Sequence, residues 1–204
     1  MTRIAIDGKI SELGPEALGQ VTSVVREAIT NLPPNRLITK ILVDGQEVST
    51  LDLEDEPTTA PFRELEIKTV DREIWAINGI DTALSGLERV QRSLIKAAEL
   101  FREEDKAHAN RFFVQCIDGL ERFYEAVMIT RSVLKLDFNQ IEIHGMKLSG
   151  IEGDFSDILR TIIELQERQD WTSLADKVDY ELITNLSSWT SALKQLRLSQ
   201  MSNA

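Results

Sequence analysis

The hydrophobic period of this chain changes at Asp71. Before that point apolar residues alternate with polar ones in short runs that meet two Asp-Gly dipeptides, and after it they recur every three or four residues. Alternation at period two puts one face of a strand against a core, whereas a spacing of three and four lines one face of a helix. The chain is therefore expected to be α+β, with a small α+β domain over residues 1–70 and an antiparallel four-helix bundle over residues 71–204.

Within the first segment, Ile4 and Ile6 alternate with Arg3 and Ala5 up to Asp7-Gly8, and Lys9-Ile10 follows. Leu37 to Val43 is β-branched and mostly apolar, meets Asp44-Gly45, and returns through Gln46, Glu47 and Val48. Both read as hairpins on a turn whose two central residues take positive φ, a region glycine enters freely and aspartate more readily than most residues. Gly14-Pro15 is expected to open a helix whose apolar face is Leu18, Val21, Val25, Ala28, Ile29 and Leu32, ended by Pro33-Pro34. Leu65 and Ile67 alternate in a last strand. One helix across a small mixed sheet, as in ubiquitin-like folds, would bury these faces. The acidic stretch Ser49 to Pro61 lacks the ligand spacing and glycine of a calcium-binding loop, so it is expected to be a solvated loop.

The second segment supplies four apolar stripes. Asp71 is placed to cap the first helix, with Ile77, Ile80, Leu84, Leu87, Leu94, Ala98 and Phe101 on one seam. Gln91 interrupts that seam and is expected to fix register or lie at its flank. Asp105 can cap a second helix through Phe112, Phe113, Cys116, Leu120, Phe123, Tyr124, Val127, Met128 and Leu134. Asp137 to Gly153, with His144-Gly145, Gly150 and Gly153, reads as an extended connector containing at most a minor hairpin. Asp154 is then expected to cap a third helix and Asp170 a fourth, whose stripe runs from Trp171 through Leu174, Val178, Leu182, Leu186 and Trp189 to Leu196. Asp179-Tyr180-Glu181 forms a polar insertion beside that stripe, and Ser199 to Ala204 is expected to fray.

Charge and composition exclude several roles. The net charge of -11 repels phosphate backbones and anionic lipid, so neither nucleic acid nor a membrane surface is an expected partner. No apolar run approaches the roughly 20 residues of a membrane span, and residues 1–10 do not read as a secretory signal, which points to a cytoplasmic protein. The single cysteine, Cys116, lies on an apolar helical face and is expected to act as a small hydrophobe. A di-iron bundle needs inward glutamates with two Glu-x-x-His pairs, and zinc needs more cysteine or clustered histidine than His108 and His144 provide. No metal and no cofactor is expected.

The two helix-turn-helix units resemble the flagellin export chaperone family. The first is Ala97-Ala98-Glu99-Leu100 followed by Arg102 to Asn110, and the second is Leu165 to Trp171 continuing to Leu186-Ser187-Ser188-Trp189. The similarity spans roughly residues 80–197. It implies an antiparallel bundle that holds a protein partner. The segment before residue 71 has no counterpart in that family, and the connector is longer and more strand-like.

From the residues themselves the expectation is a non-enzymatic, chaperone- or adaptor-like module that binds a partner segment on an apolar bundle surface. Trp171, Tyr180, Trp189, Phe112 and Phe123 are the candidate partner-binding residues, because the large aromatics exceed what a narrow seam would hide and aromatics anchor interfaces. The same surplus could cover a second copy of the chain in a homodimer. The alternative is an enzyme or ligand sensor with a site between the two domains, built on Glu142 and His144 or on the acidic loop.

Overall fold

The computed structural model describes residues 3–10, 21–48, 62–103 and 105–203. The helix start at Gly14-Pro15 and the acidic stretch at 49–61 lie outside the described residues. The chain is a mixed α+β protein that divides into two compact units, Met1–Trp75 and Ala76–Ala204.

The first unit holds strands β1 (Arg3–Ile6), β2 (Lys9–Ile10), β3 (Arg36–Val43), β4 (Gln46–Glu47) and β5 (Glu64–Asp71), with helix α1 (Val21–Asn31). They form a sheet of order β2-β1-β5-β3-β4 in which β1 and β5 run parallel and the other pairs antiparallel. Val21, Val24, Val25 and Ala28 bury one stripe of α1 with Ile4, Ile41, Leu65 and Ile67 from the sheet. Asp7 and Asp44 both take the left-handed region, with φ of 51° and 49°, and each is followed by a positive-φ glycine. Each carboxylate also reaches across to β5. Asp7 accepts hydrogen bonds from the Thr69 amide at 2.7 Å, the Thr69 hydroxyl at 2.6 Å and Arg36 at 2.7 Å. Asp44 accepts from the amides of Arg63 and Glu64, each at 2.8 Å.

The second unit is helical. Helix α2 (Arg72–Arg102) has its first turn in the first unit, with the Asp71 carboxylate accepting from the amides of Glu73 and Ile74. Its buried face is Ala76, Ile80, Ala83, Leu87, Val90, Leu94, Ala97 and Phe101, alternating steps of four and three. Helix α3 (Lys106–Leu134) repeats the pattern with Ala109, Phe113, Cys116, Leu120, Phe123 and Val127, and Asp105 caps it by accepting from the His108 amide. The two helices run antiparallel. Phe101 meets Phe113 edge-on at 5.4 Å, and further along Gly119 lies against Val90 so closely that an added Cβ would stand 2.6 Å from Val90 Cγ2.

Between α3 and the next helix, β6 (Glu142–Ile143) and β7 (Met146–Lys147) form a two-residue hairpin on His144-Gly145, at φ of 51° and 81°. Helix α4 (Leu148–Glu167) follows at once, so the extended connector is shorter than expected and Asp154 lies inside a helix instead of capping one. Leu148, Ile151, Phe155, Ile158 and Ile162 explain this: their three-four spacing buries a full helical stripe. That gain outweighs the roughly 1 kcal/mol that each of Gly150 and Gly153 costs a helix relative to alanine.

Asp170 caps helix α5 (Trp171–Asp176), accepting from the Ser173 amide at 3.2 Å. A π-helical segment, Lys177–Leu182, leads into α6 (Ile183–Asn203), so the last rod is interrupted where one even helix was expected, and it continues through the tail expected to fray. The sequence contains the cause. Leu174, Val178, Leu182 and Leu186 are spaced by four throughout, and all are buried. In an α-helix repeated steps of four drift around the axis, and the wider π turn returns them to one line.

Candidate functional site

Two of the five aromatics expected on a partner-binding surface lie in the core. Trp189 is 0% exposed, set edge-on against Phe123 at 5.9 Å and against Phe138 at 6.1 Å. Phe123 is itself buried and meets Phe155 at 6.5 Å. Both are therefore corrected from interface to core residues. The seam hides them because the connector contributes Phe138, buried beneath the Arg131 guanidinium at 4.4 Å, as a further wall. Trp171 is half-buried, stacked on Phe101 at 5.6 Å with ring planes 3° apart. Phe112 is half-buried beside its buried neighbour Phe113. Tyr180 alone is open, 70% exposed on the π segment.

Two grooves flank α4. The one between α3 and α4 has a volume of about 430 Å³ and is mostly apolar, lined by Phe113, Ile117, Leu120, Tyr124, Phe155, Leu159, Ile162 and Ile163. Ile163 is 56% exposed, and Ile117 and Leu159 are half-buried. These residues stand one position off the buried seam, so the apolar stripe of each helix is wider than the core requires. The adjacent pairs Ile158-Leu159 and Ile162-Ile163 are the sequence signal for that width. Tyr124 anchors the rim: its ring stacks on Phe155 at 6.0 Å and its hydroxyl donates to Glu152 at 3.0 Å, a carboxylate also met by Arg131. Burial and then the Glu152 bond raise the Tyr124 phenol above its usual range.

On the other side of α4, a groove of about 460 Å³ is bounded by α4, the π segment and α6. Its lining is mixed: Asp154, Asp157, Thr161, Lys177, Tyr180, Glu181, Thr184 and Ser188 stand beside Met146, Ile151 and Ile158. Asn185 lines the same groove, is 8% exposed, and donates its amide nitrogen to the Ile151 carbonyl at 3.0 Å. Its Oδ1 is buried without a hydrogen-bond partner. A buried acceptor left so costs on the order of 1–3 kcal/mol.

The residues weighed for catalysis are not assembled. Glu142 and His144 are exposed on the small hairpin. Cys116 is buried, with its thiol directed to the Phe112 carbonyl at 3.6 Å, and burial pushes its pKa up to about 11, away from the thiolate a nucleophile needs. Among the described residues no three His, Cys, Asp or Glu side chains gather into a group able to hold a metal ion, and no helix is long and apolar enough to cross a membrane.

A helical unit built on heptad-spaced seams, with an apolar groove on one side of α4 and a mixed one on the other, defines the class of domain. Residues 79–192 match the model of a domain family of unknown function, DUF8042, and the chain belongs to that family. The matched span falls within the second unit and contains both grooves. No curated protein and no solved structure matches the chain.

Proposed function

We propose that this chain is a non-enzymatic, cytoplasmic interaction protein, chaperone- or adaptor-like, which holds an apolar helix of a protein partner between α3 and α4. The observation that carries the reading is the groove itself. Its apolar lining continues from the buried Phe155 and Ile162 out to the exposed Ile163, with Glu121, Ser156 and Gln166 as its polar members, which suits the apolar face and polar flanks of an amphipathic helix. Large apolar side chains left in water on one contiguous surface favour a partner that covers them.

The finer architecture belongs to the same reading. The antiparallel four-helix bundle is supported by side-chain contacts joining four rods in a ring. Phe101 meets Phe113 between α2 and α3, and Tyr124 meets Glu152 between α3 and α4. Asn185 bonds Ile151 between α6 and α4, while Arg197 bonds Asp81 and Arg102 bonds Asp176 and Asp179 between the last rod and α2. The strand order β2-β1-β5-β3-β4 with parallel β1 and β5 supports the ubiquitin-like reading of the first unit. The resemblance to flagellin export chaperones agrees with a bundle that carries a protein segment.

The test is a photoreactive amino acid placed at Ile163 of the full chain in its own cells, with Glu99, exposed on α2, as the control position. A discrete adduct with another protein from position 163, absent from position 99, is the expected result. Equal labelling from both positions, or none from 163, would overturn the proposal. An adduct between two copies of the chain would replace the partner with a homodimer.

A further inference from the structure

A third groove, of about 460 Å³, runs between α2 and α3 in the helical unit. The chain carries 34 acidic against 23 basic side chains, yet among the described residues this groove is lined by Arg89 and Arg122 and by no carboxylate. No ion pair or hydrogen bond engages either guanidinium among the described residues, and the same holds for the Gln115 amide and the Ser93 hydroxyl beside them. Asp118 and Glu125 lie a turn away on α3 without pairing with Arg122. The two arginines stand close to one level, one on each helix. Arg89 precedes Val90 by one residue and Arg122 follows Gly119 by three. Because Val90 meets Gly119 and the helices are antiparallel, the two steps run the same way and differ by about 3 Å.

The rest of the lining suits close approach. Ala83, Gly86 and Ala126 stand beside the buried Val90 and Phe123, and on α2 the lining runs from Thr82 to Ser93, about 16 Å or three turns. Gly119 has an internal reason, since Val90 fills the space a Cβ would take; Gly86 has none, with no atom within 4 Å of that position. A glycine inside a helix weakens it relative to alanine and leaves the backbone open to a neighbour. A compact anion would meet the arginines and leave those three turns uncovered, and a second copy seated by the same face would set arginine against arginine. We propose that the groove between α2 and α3 docks an acidic helix of a protein partner, its small-residue face laid over Gly86 and its carboxylates paired with Arg89 and Arg122. This surface shares no lining residue with the groove between α3 and α4 and does not depend on the function proposed for that one.

The experiment is fluorescence-anisotropy titration of the full chain, at about 0.15 M salt to suppress diffuse attraction. The probes are dye-labelled, alanine-rich helical peptides of about 20 residues, carrying glutamate, glutamine or lysine along both flanks of an alanine face. Saturable binding of the glutamate peptide with a Kd below about 100 μM is expected, the glutamine and lysine peptides binding about tenfold more weakly or worse. Arg89→Gln and Arg122→Gln, both at exposed positions, should each weaken it about fivefold or more. Arg111→Gln, exposed on α3 outside the groove, should leave it unchanged. Gly86→Leu should abolish binding while the Tm holds or rises, a loss that unfolding does not explain. Ile163→Ala, in the other groove, should have no effect, so that failure of the apolar-groove reading and failure of this one are told apart. No saturation with the glutamate peptide, equal binding of the glutamine peptide, or equal loss in Arg111→Gln would overturn the proposal. Displacement of the peptide by inorganic phosphate at about 1 mM would give the arginines to a small anion, and a dimer in sedimentation that Gly86→Leu dissolves would give the face to a second copy; either result overturns the acidic helix.

Discussion

The two faces of α4 bury the same helix and differ in almost everything else. On the α3 side the wall is mostly aliphatic and aromatic, and its tyrosine hydroxyl is tied back to Glu152. On the α6 side carboxylates, hydroxyls, an amide and the Lys177 ammonium stand among Met146, Ile151 and Ile158. The difference comes from which residues stand next to the seam: Leu159 and Ile163 on one flank, Asp154, Asp157 and Thr161 on the other. A heptad seam fixes how a rod packs and leaves its two flanks free to carry separate specificities. One helix can thereby serve two kinds of contact.

The comparison can be broken most directly at the aromatic core beneath the grooves. Trp189→Ala should cost about 3–5 kcal/mol in chemical denaturation, since the indole is fully enclosed; loss of binding with unchanged stability would return it to the interface. Gly119→Ala should destabilise by about 1–3 kcal/mol, because the added methyl meets the branched side chain of Val90. Ile163→Asp should reduce partner capture at least tenfold, while unfolding free energy changes by no more than about 0.5 kcal/mol. Gly153→Ala, in open space on α4, should stabilise by up to about 1 kcal/mol and leave both grooves intact; a loss of stability there would show that α4 is held differently.

The smallest effect concerns pH and the first unit. Burial pushes the Asp7 carboxyl up, yet hydrogen bonds from Thr69 and Arg36 outweigh it and hold it below its ordinary value of 3.8. A carboxyl whose folded pKa is depressed contributes stability above its unfolded pKa, and that contribution disappears as the pH falls through the folded value. Acid titration of the first unit's unfolding should therefore show a modest loss below about pH 4, flattened in Asp7→Asn. An identical acid profile for the variant would remove Asp7 from the account.

Much of this was legible in the residues. The change of period marked the passage from sheet to helix, and Asp71, Asp105 and Asp170 cap the helices they were expected to cap. The Asp-Gly turns have the positive φ their chemistry demands. Asp154 misled because glycines at 150 and 153 suggested a break, whereas Leu148 and Ile151 were already extending the buried stripe. The aromatics misled differently: counting them gives no exposure, and Phe138, from outside the helical pattern, supplied the surface that encloses Trp189. Grooves were the least legible feature, since they depend on which flanks of different rods face each other, and spacing within one rod does not encode that.

The carboxylates of the two Asp-Gly turns have one more consequence. Asp44 holds β5 at Arg63 and Glu64, and Asp7 holds it at Thr69, so together they measure out the strand like a ruler with two fixed marks. A β5 longer or shorter by one residue between those marks could satisfy only one of them. Homologous chains of this architecture should therefore vary at the outward positions of that interval, Glu66 and Lys68, but not in its length or in the buried Leu65 and Ile67.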